Sequence, residues 1–447
     1  MFQKNAPSCT LLRRVALFCY PDQIVDCRKK VIYCFQGVER RWKKVLSGKD
    51  TLLTAHVKKI WFSVPGTFSI TPWSLITFHD MFAPASIILK PNVHLLSIAS
   101  DIVQFIELDP DVNILDVTKN PILLIAQTQQ AKKIIALPRK VFDKLVSDFD
   151  IGEHEVVWLF HTNRCGSTLW AQIFHTVPGW TIISETQVLG YSLSYSSSLH
   201  TANIDSYAKT EEFEEMIVSY IKAYLHIVPA QNSVLWRALG FMSEHMIPII
   251  QKRFPKHKIM FVYRDVLPSA KSYHKVMGKS PLYEETSKVM YKDLDNPQPE
   301  GTSRRMRLFW TSGYDPAVCI PAIKASQLQA NIFELFMVLW GTRVKKMQEH
   351  QQNGITIHCI SYDQLINNPR LTISKVFNHV SISGEFVNGA LKAMKSDSQA
   401  GLVFSKVNKD CDPGWVRTPG AVQRCNLFLA AMGLPSLDSP LVMNNTL

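Results

Sequence analysis

No apolar run in this 447-residue chain reaches the roughly 18 residues that a membrane-spanning helix requires. The stretch "SLITFHDMFAPASIIL" is broken by His79, Asp80 and Pro84. A secretory pattern is missing as well, because "LLRRVALFCY" places arginines inside a very short apolar stretch instead of ahead of a longer one. A cytoplasmic protein without a membrane span is therefore expected. Cysteine pairs are also wanting: the nine cysteines are odd in number and none forms a CxxC, so at least one thiol stays free or pairs between chains. Cys9, Cys19, Cys27 and Cys34 crowd the beginning, but their spacings of 10, 8 and 7 match no structural zinc pattern, and no metal is expected. Internal repeats and low-complexity tracts are absent.

What is present is a basic globular composition. Lys and Arg exceed Asp and Glu by 49 to 37, a net charge of +12, and residues 1–60 alone hold 13 Lys/Arg against 4 Asp/Glu. Runs such as "CRKK" and "ERRWKK" could meet anionic lipid, RNA or an acidic substrate. A solvated helix face explains them as well, and no nucleic-acid partner is expected.

The first 150 residues read as a smaller α+β module with short β-like runs, "KKIWFSV", "VHLLSIA" and "PILLIAQ". From Glu155 the pattern becomes strand, helix, strand: "EVVWLF", a helix from Ser167, "WTIIS", "EEFEEMIVSYIKAYLHIV", "SVLW", "SEHMIPIIQKRF", "KIMFVYR" and "PSAKSYHKVM". Such alternation predicts an α/β fold, a parallel sheet with helices on both faces. The expected divisions are residues 1–150, 151–430 and a tail at 431–447. Periodicity fades between residues 278 and 327 and returns with "NIFELFMVLWGTRVKKMQEH", "TIHCIS" and "YDQLINNPRLTISKVFNHV".

The turn in "EVVWLFHTNRCGSTLWAQIF" carries the chemistry. Gly166, Ser167 and Thr168 stand where a helix begins, an arrangement whose free amides and dipole favour an anion. A Walker loop would place lysine directly after that glycine to reach terminal phosphates, with a hydroxyl on magnesium. Here a serine follows, and the nearby cation is Arg164. Such a pocket suits a phosphate whose neighbouring group moves without a metal bridging two phosphates.

The segment "TNRCGSTLW" resembles the 5′-phosphosulfate loop of sulfotransferases, and "MFVYRDVLPSAKSYHK" resembles the 3′-phosphate segment of the same family, Arg264 and Ser272 keeping its interval of eight residues. "SVLWRALGFMSEHMIPIIQKRFPKHKIMFVYRD" and "ISYDQLINNPRLTISKVFNHVSIS" are similar to two further family units. The likeness spans roughly residues 155–383. It implies a P-loop-like sulfotransferase fold, 3′-phosphoadenosine 5′-phosphosulfate (PAPS) as sulfuryl donor, no metal, and a hydroxyl or amine acceptor of unknown class.

The resemblance also implies roles. Arg164, Cys165, Gly166, Ser167, Thr168 and Leu169 would form the donor's 5′ loop, with Arg164 assisting the leaving phosphate; Arg264 and Ser272 would hold the 3′-phosphate, for which a guanidinium fork is well shaped. Glu185, 21 residues after Arg164 and directly behind "WTIIS", takes the place of a catalytic glutamate, and its position at a strand end is suited to a general base. Arg237 replaces a family lysine that stabilises the sulfonate, although Leu239 stands where the family has proline. His161, His175 and His274 are alternative bases, and Ser398, Lys406 and Trp415 possible donor or acceptor contacts. A kinase or other P-loop NTPase, and an inactive nucleotide-binding scaffold, remain competing readings.

Overall fold

In a computed structural model, residues 37–49, 53–63, 75–99, 101–149, 151–186, 209–238, 243–277, 322–323, 325–326, 328, 332–398 and 419–447 are described. They build two five-stranded sheets. The first is antiparallel, in the order β2-β1-β5-β4-β3, and comprises β1 (Thr54–Ser63), β2 (Leu75–Pro84), β3 (Val93–Ile98), β4 (Ile102–Glu107) and β5 (Lys133–Pro138). The second is parallel throughout, in the order β10-β9-β6-β8-β7, and comprises β6 (Val156–His161), β7 (Trp180–Ser184), β8 (Ser233–Arg237), β9 (Lys258–Tyr263) and β10 (His358–Ser361).

The expected α/β architecture is present. Helices α1 (Leu123–Gln130) and α2 (Arg139–Ser147) belong to the first sheet's region. Helices α3 (Ser167–His175), α4 (Glu211–Leu225), α5 (Ile247–Arg253) and α6 (Val266–Met277) follow strands of the second. A long helix, α7 (Ile332–Gln352), precedes β10; then come α8 (Tyr362–Asn367), α9 (Pro369–His379), α10 (Val387–Ala393) and α11 (Pro419–Ala431). One expected element differs: the β-like run "PILLIAQ" is helical from Leu123 onward. A short, wholly apolar run carries no period that separates a strand from a buried helix, and Leu, Ala and Gln are good helix formers.

Period-two alternation explains the layering. On β6, Val156, Trp158 and Phe160 enter one core while Val157 and Leu159 enter another, so all six residues are buried. That is the continuous apolar signature of a strand covered on both faces. The second core holds Leu169, Trp170 and Phe174 of α3 with Ile373 and Phe377 of α9 and Ala390 of α10. The first runs unbroken into the antiparallel sheet: Phe213, Ile217, Tyr220 and Tyr224 of α4 share it with Leu95, Phe105, Ile135 and Phe142. Tyr224 Oη also donates to Leu95 O at 2.8 Å.

Residues 431–447 carry Leu434, Leu437, Leu441 and Met443 into this same core. The backbone there runs parallel to β10, Cys359 N donating to Asn445 O and Leu447 N to Cys359 O, both at 3.0 Å. Asp265 accepts from Leu441 N at 2.8 Å, which ties this segment to the residue beside Arg264.

Candidate functional site

Four strands of the parallel sheet deliver candidate residues at their carboxyl ends, the edge at which such sheets gather ligands. The loop after β6 carries Arg164; Glu185 follows β7; Arg237 closes β8; Arg264 follows β9.

The loop is bent by backbone that L-residues seldom adopt: Asn163 has φ 61°, Arg164 φ 51° and Gly166 φ 83°. Gly166 is required twice over. Besides its left-handed φ, a Cβ there would lie 2.7 Å from Cδ2 of the Tyr362 ring. Cys165 is fully buried, its Sγ donating to Val262 O at 3.2 Å, and burial raises its thiol pKa. Leu169 packs into the core. These two residues can therefore offer a ligand only backbone groups, whereas the Ser167 and Thr168 hydroxyls face Arg237.

Around this loop the cations gather. Arg164 Nε donates to Ser272 Oγ at 3.0 Å, and Arg264 Nη1 reaches Arg164 O at 3.4 Å. Arg264 lies 4.4 Å above the Tyr362 ring centroid, and its Nε is buried without a partner among the described residues. Its carbonyl is held by Trp340 Nε1 at 2.9 Å. Burial, and then the charge of Arg264, lower the Arg164 pKa. Since a guanidinium does not give up its proton in proteins, two adjacent cations make this a place where an anion would be favourable.

A second group stands beside the first. Arg237 is 1 % exposed. It donates through Nη1 to Thr168 Oγ1 at 2.6 Å and Ser167 Oγ at 3.3 Å, through Nη2 to Ser184 Oγ at 2.8 Å and Pro121 O at 2.9 Å, and through Nε to Ser184 Oγ at 3.1 Å. Its Nη1 also lies 3.2 Å from Glu185 Oε1. Direct contact between Arg237 and a sulfonate is thus not what this geometry offers, because every nitrogen is engaged. Its reach is indirect: a hydroxyl that accepts from Arg237 keeps its own proton to donate, so Ser167 and Thr168 are presented as donors.

Glu185 is held in a left-handed conformation, φ 49°, its N–H donating to Arg237 O at 2.8 Å. His161 Nε2 lies 3.2 Å from Glu185 Oε1. The Asn163 amide donates to His161 Nδ1 at 3.2 Å, which leaves the ring proton on Nε2, facing the carboxylate. Burial acts to raise the Glu185 pKa, but Arg237, His161 and Arg343 outweigh it and hold the carboxyl at about 2. His161 is pushed down by burial, against the pull of Glu185, and stays neutral at pH 7. Behind it, Arg343 donates to His161 O at 3.2 Å and pairs with the buried Glu244 at 3.0 Å.

The fold thus brings together Arg164, Gly166, Ser167, Thr168, Glu185, Arg237, Arg264 and Ser272. His175 is exposed at the far end of α3, about 12 Å along the helix from Ser167. His274 lies on α6, its side chain outside the described residues; Lys406 and Trp415 also lie outside them. Ser398 accepts through its carbonyl from Gln172 Nε2 at 3.2 Å. Sequence reasoning missed Tyr362, although it opens the "YDQL" unit, and offered His161 only as an alternative base, not as the partner of Glu185. Ser184 and the Pro121 carbonyl had no signal at all.

Solved sulfotransferases resemble this chain. Sulfotransferase STF9 from Mycobacterium avium matches 64% of it and 77% of its own length at 12% identity, with a TM-score of 0.33. The sulfotransferase domain of the Synechococcus PCC 7002 olefin synthase matches 63% of this chain and 98% of its own, also at 12% identity, with a TM-score of 0.31. No family model and no curated protein matches. At that likeness roles do not transfer residue by residue.

Proposed function

We propose that the protein is a sulfotransferase that takes a sulfuryl group from PAPS and places it on a hydroxyl or amine acceptor. The observation that carries this reading is the junction of Arg164, Ser272 and Arg264. Two anion-recognition segments, separated by 108 residues between Arg164 and Ser272, meet within hydrogen-bond distance. The buried Arg264 Nε, without a partner among the described residues, supports an anion in that place.

In this reading Arg264 and Ser272 hold the 3′-phosphate, while backbone groups of residues 164–169 and the Ser167 and Thr168 hydroxyls hold the 5′ side. Arg164 neutralises charge on the departing phosphate; it is a weak proton donor, so its contribution is electrostatic. Glu185 receives the acceptor's proton. A carboxylate with a pKa near 2 is a feeble base on its own. The donor's negative charge would counter the cations that depress it, raising its basicity when the substrate arrives. Arg237 positions Glu185 and the loop hydroxyls.

Calorimetry tests the binding half: adenosine 3′,5′-bisphosphate should bind much more tightly than AMP, without magnesium, and equal affinities would refute the assignment. The full pairing of Arg237 and Glu185 also favours a second reading, a nucleotide binder without turnover. Transfer of label from PAPS to a panel of hydroxyl and amine acceptors separates the two. A kinase is disfavoured by the serine after Gly166 and by the arginine at the end of β8.

A further inference from the structure

The carboxylate half of the site leans on chain that lies before the parallel sheet. Pro121 O accepts from Ser184 Oγ at 2.7 Å and from Arg237 Nη2 at 2.9 Å. Three residues on, Leu124 N donates to Glu185 O at 3.0 Å. Glu185 is therefore fixed through both backbone groups, its N–H on Arg237 and its carbonyl on Leu124. A non-glycine residue at positive φ persists only where its surroundings over-determine it, and these bonds supply that constraint. The same stretch is anchored upstream, since Val117 is buried in one core with Leu169 and Trp170 of α3.

Local needs explain why this segment can brace a site. Proline contributes a carbonyl and no N–H, so Pro121 is purely an acceptor. Leu124 is the second residue of α1, whose N–H has no partner within the helix and is free to bind outside it. Ser184 joins the parts by donating to Pro121 while accepting twice from Arg237. Removing either acceptor would free the guanidinium to rotate, and Ser167, Thr168 and Glu185 would lose their common partner together.

We propose that residues 121–124 are a working part of the site: through Ser184 they hold Arg237 against Glu185, so the N-terminal region positions the group that acts on the acceptor. This rests on the role assigned above to Glu185. The charged and titratable groups facing that carboxylate are Arg237 from β8, His161 from β6, Arg343 from α7 and Arg164 from the loop. The brace acts on the first of them.

The test uses the full chain with Ser184→Ala, which deletes the bridging hydroxyl, and Leu124→Pro, which deletes the amide in a helical first turn where proline is tolerated. Affinity for adenosine 3′,5′-bisphosphate should stay within about threefold of wild type. Sulfate release from labelled PAPS, with water as acceptor, should slow by about tenfold or more. In that reaction water forms the new S–O bond, the S–O bond to the phosphate breaks, and sulfate and adenosine 3′,5′-bisphosphate leave. The acid limb of this rate should move up towards about pH 4, the ordinary carboxylate region, because Glu185 loses part of the Arg237 field. Ser184→Thr should restore both rate and limb. A purely structural contact predicts a lower melting temperature with the limb unmoved, and that result overturns the proposal. If Leu124→Pro fails to fold, Ser184→Ala decides alone. If wild type neither binds the bisphosphate nor releases sulfate, the functional reading fails instead, and a melting cycle between Ser184→Ala and Glu185→Gln judges the brace: non-additivity supports it and additivity rejects it.

Discussion

The two halves of the site are built on opposite electrostatic plans. Around Arg164 and Arg264 two guanidiniums lie within each other's field, and the Arg264 Nε–H has no acceptor among the described residues. Around Arg237 a single guanidinium has an acceptor for each nitrogen and a carboxylate at 3.2 Å. Two neighbouring cations favour an incoming anion in the first half, whereas in the second the guanidinium of Arg237 already has its carboxylate partner. Binding energy should come from the first and geometric control from the second. They also differ in support: the cation half stands on loops of the parallel sheet and on Tyr362, whereas the carboxylate half needs residues 121–124.

The severest way to break that contrast is to remove the N-terminal region. A chain beginning at Ser147 should fail to unfold cooperatively, judged by calorimetry and circular dichroism across several nearby start points. It would strip Leu95, Phe105, Ile135 and Phe142 from the core they share with α4 and leave Tyr224 Oη without Leu95 O. Recovery of a soluble, cooperatively melting fragment would instead make residues 1–150 an independent domain.

Next in size is Glu185→Gln, which keeps shape but removes basicity. Turnover should fall by about 10²–10⁴ with bisphosphate affinity nearly unchanged, in a single-turnover assay paired with calorimetry. A pH series adds a second readout. The Glu185 pKa lies below its ordinary 4.5, at about 2, so the stability it contributes is fully present above pH 4.5 and is lost as pH falls towards 2. Melting temperatures of wild type and Glu185→Gln should therefore converge over that interval. Normal turnover by the variant would exclude Glu185 as base.

Arg264→Ala probes the other half and should do the reverse. Bisphosphate binding should weaken by about 1.5–3 kcal/mol, the range for hydrogen bonds to charged groups, while AMP binding changes little. Equal losses for both nucleotides would mean that Arg264 does not read the 3′-phosphate.

How much of this was legible depended on whether a feature is local. The strands of the parallel sheet read clearly because burial on both faces writes an uninterrupted apolar run, as in "VVWLFH". Arg164, Arg264 and Ser272 were visible through short motifs with fixed intervals. In the N-terminal region the signal was weaker: β2 mixes His79 and Asp80 among its apolar residues, and "PILLIAQ", expected as β-like, is helical from Leu123. The Arg237 bond to Pro121 spans 116 residues and the Arg343 bond to His161 spans 182. No pattern in one chain announces a contact between a side chain and a distant carbonyl, so the brace and the second support behind Glu185 emerge only from tertiary structure.

Tyr362 gives the finest test of the comparison. Its ring fills the space that a Cβ on Gly166 would enter and carries the Arg264 guanidinium 4.4 Å above its centroid. The residue thus serves the cation half alone, orienting Arg264 from below and fixing the loop turn from the side. Replacement by Phe keeps the π face and should leave bisphosphate affinity almost unaltered. Leu removes the quadrupole while keeping bulk, and should cost about 0.5–1 kcal/mol, a loss of a few fold, the usual worth of a cation–π contact that is partly solvated. Because Glu185 and Arg237 do not rest on this ring, the single-turnover rate at saturating PAPS should be unchanged in both variants, and the acid limb should stay where it is. A shift of the rate in the Leu variant with unchanged affinity would show that the two halves are mechanically coupled through the loop, and the division between a binding half and a positioning half would have to be given up.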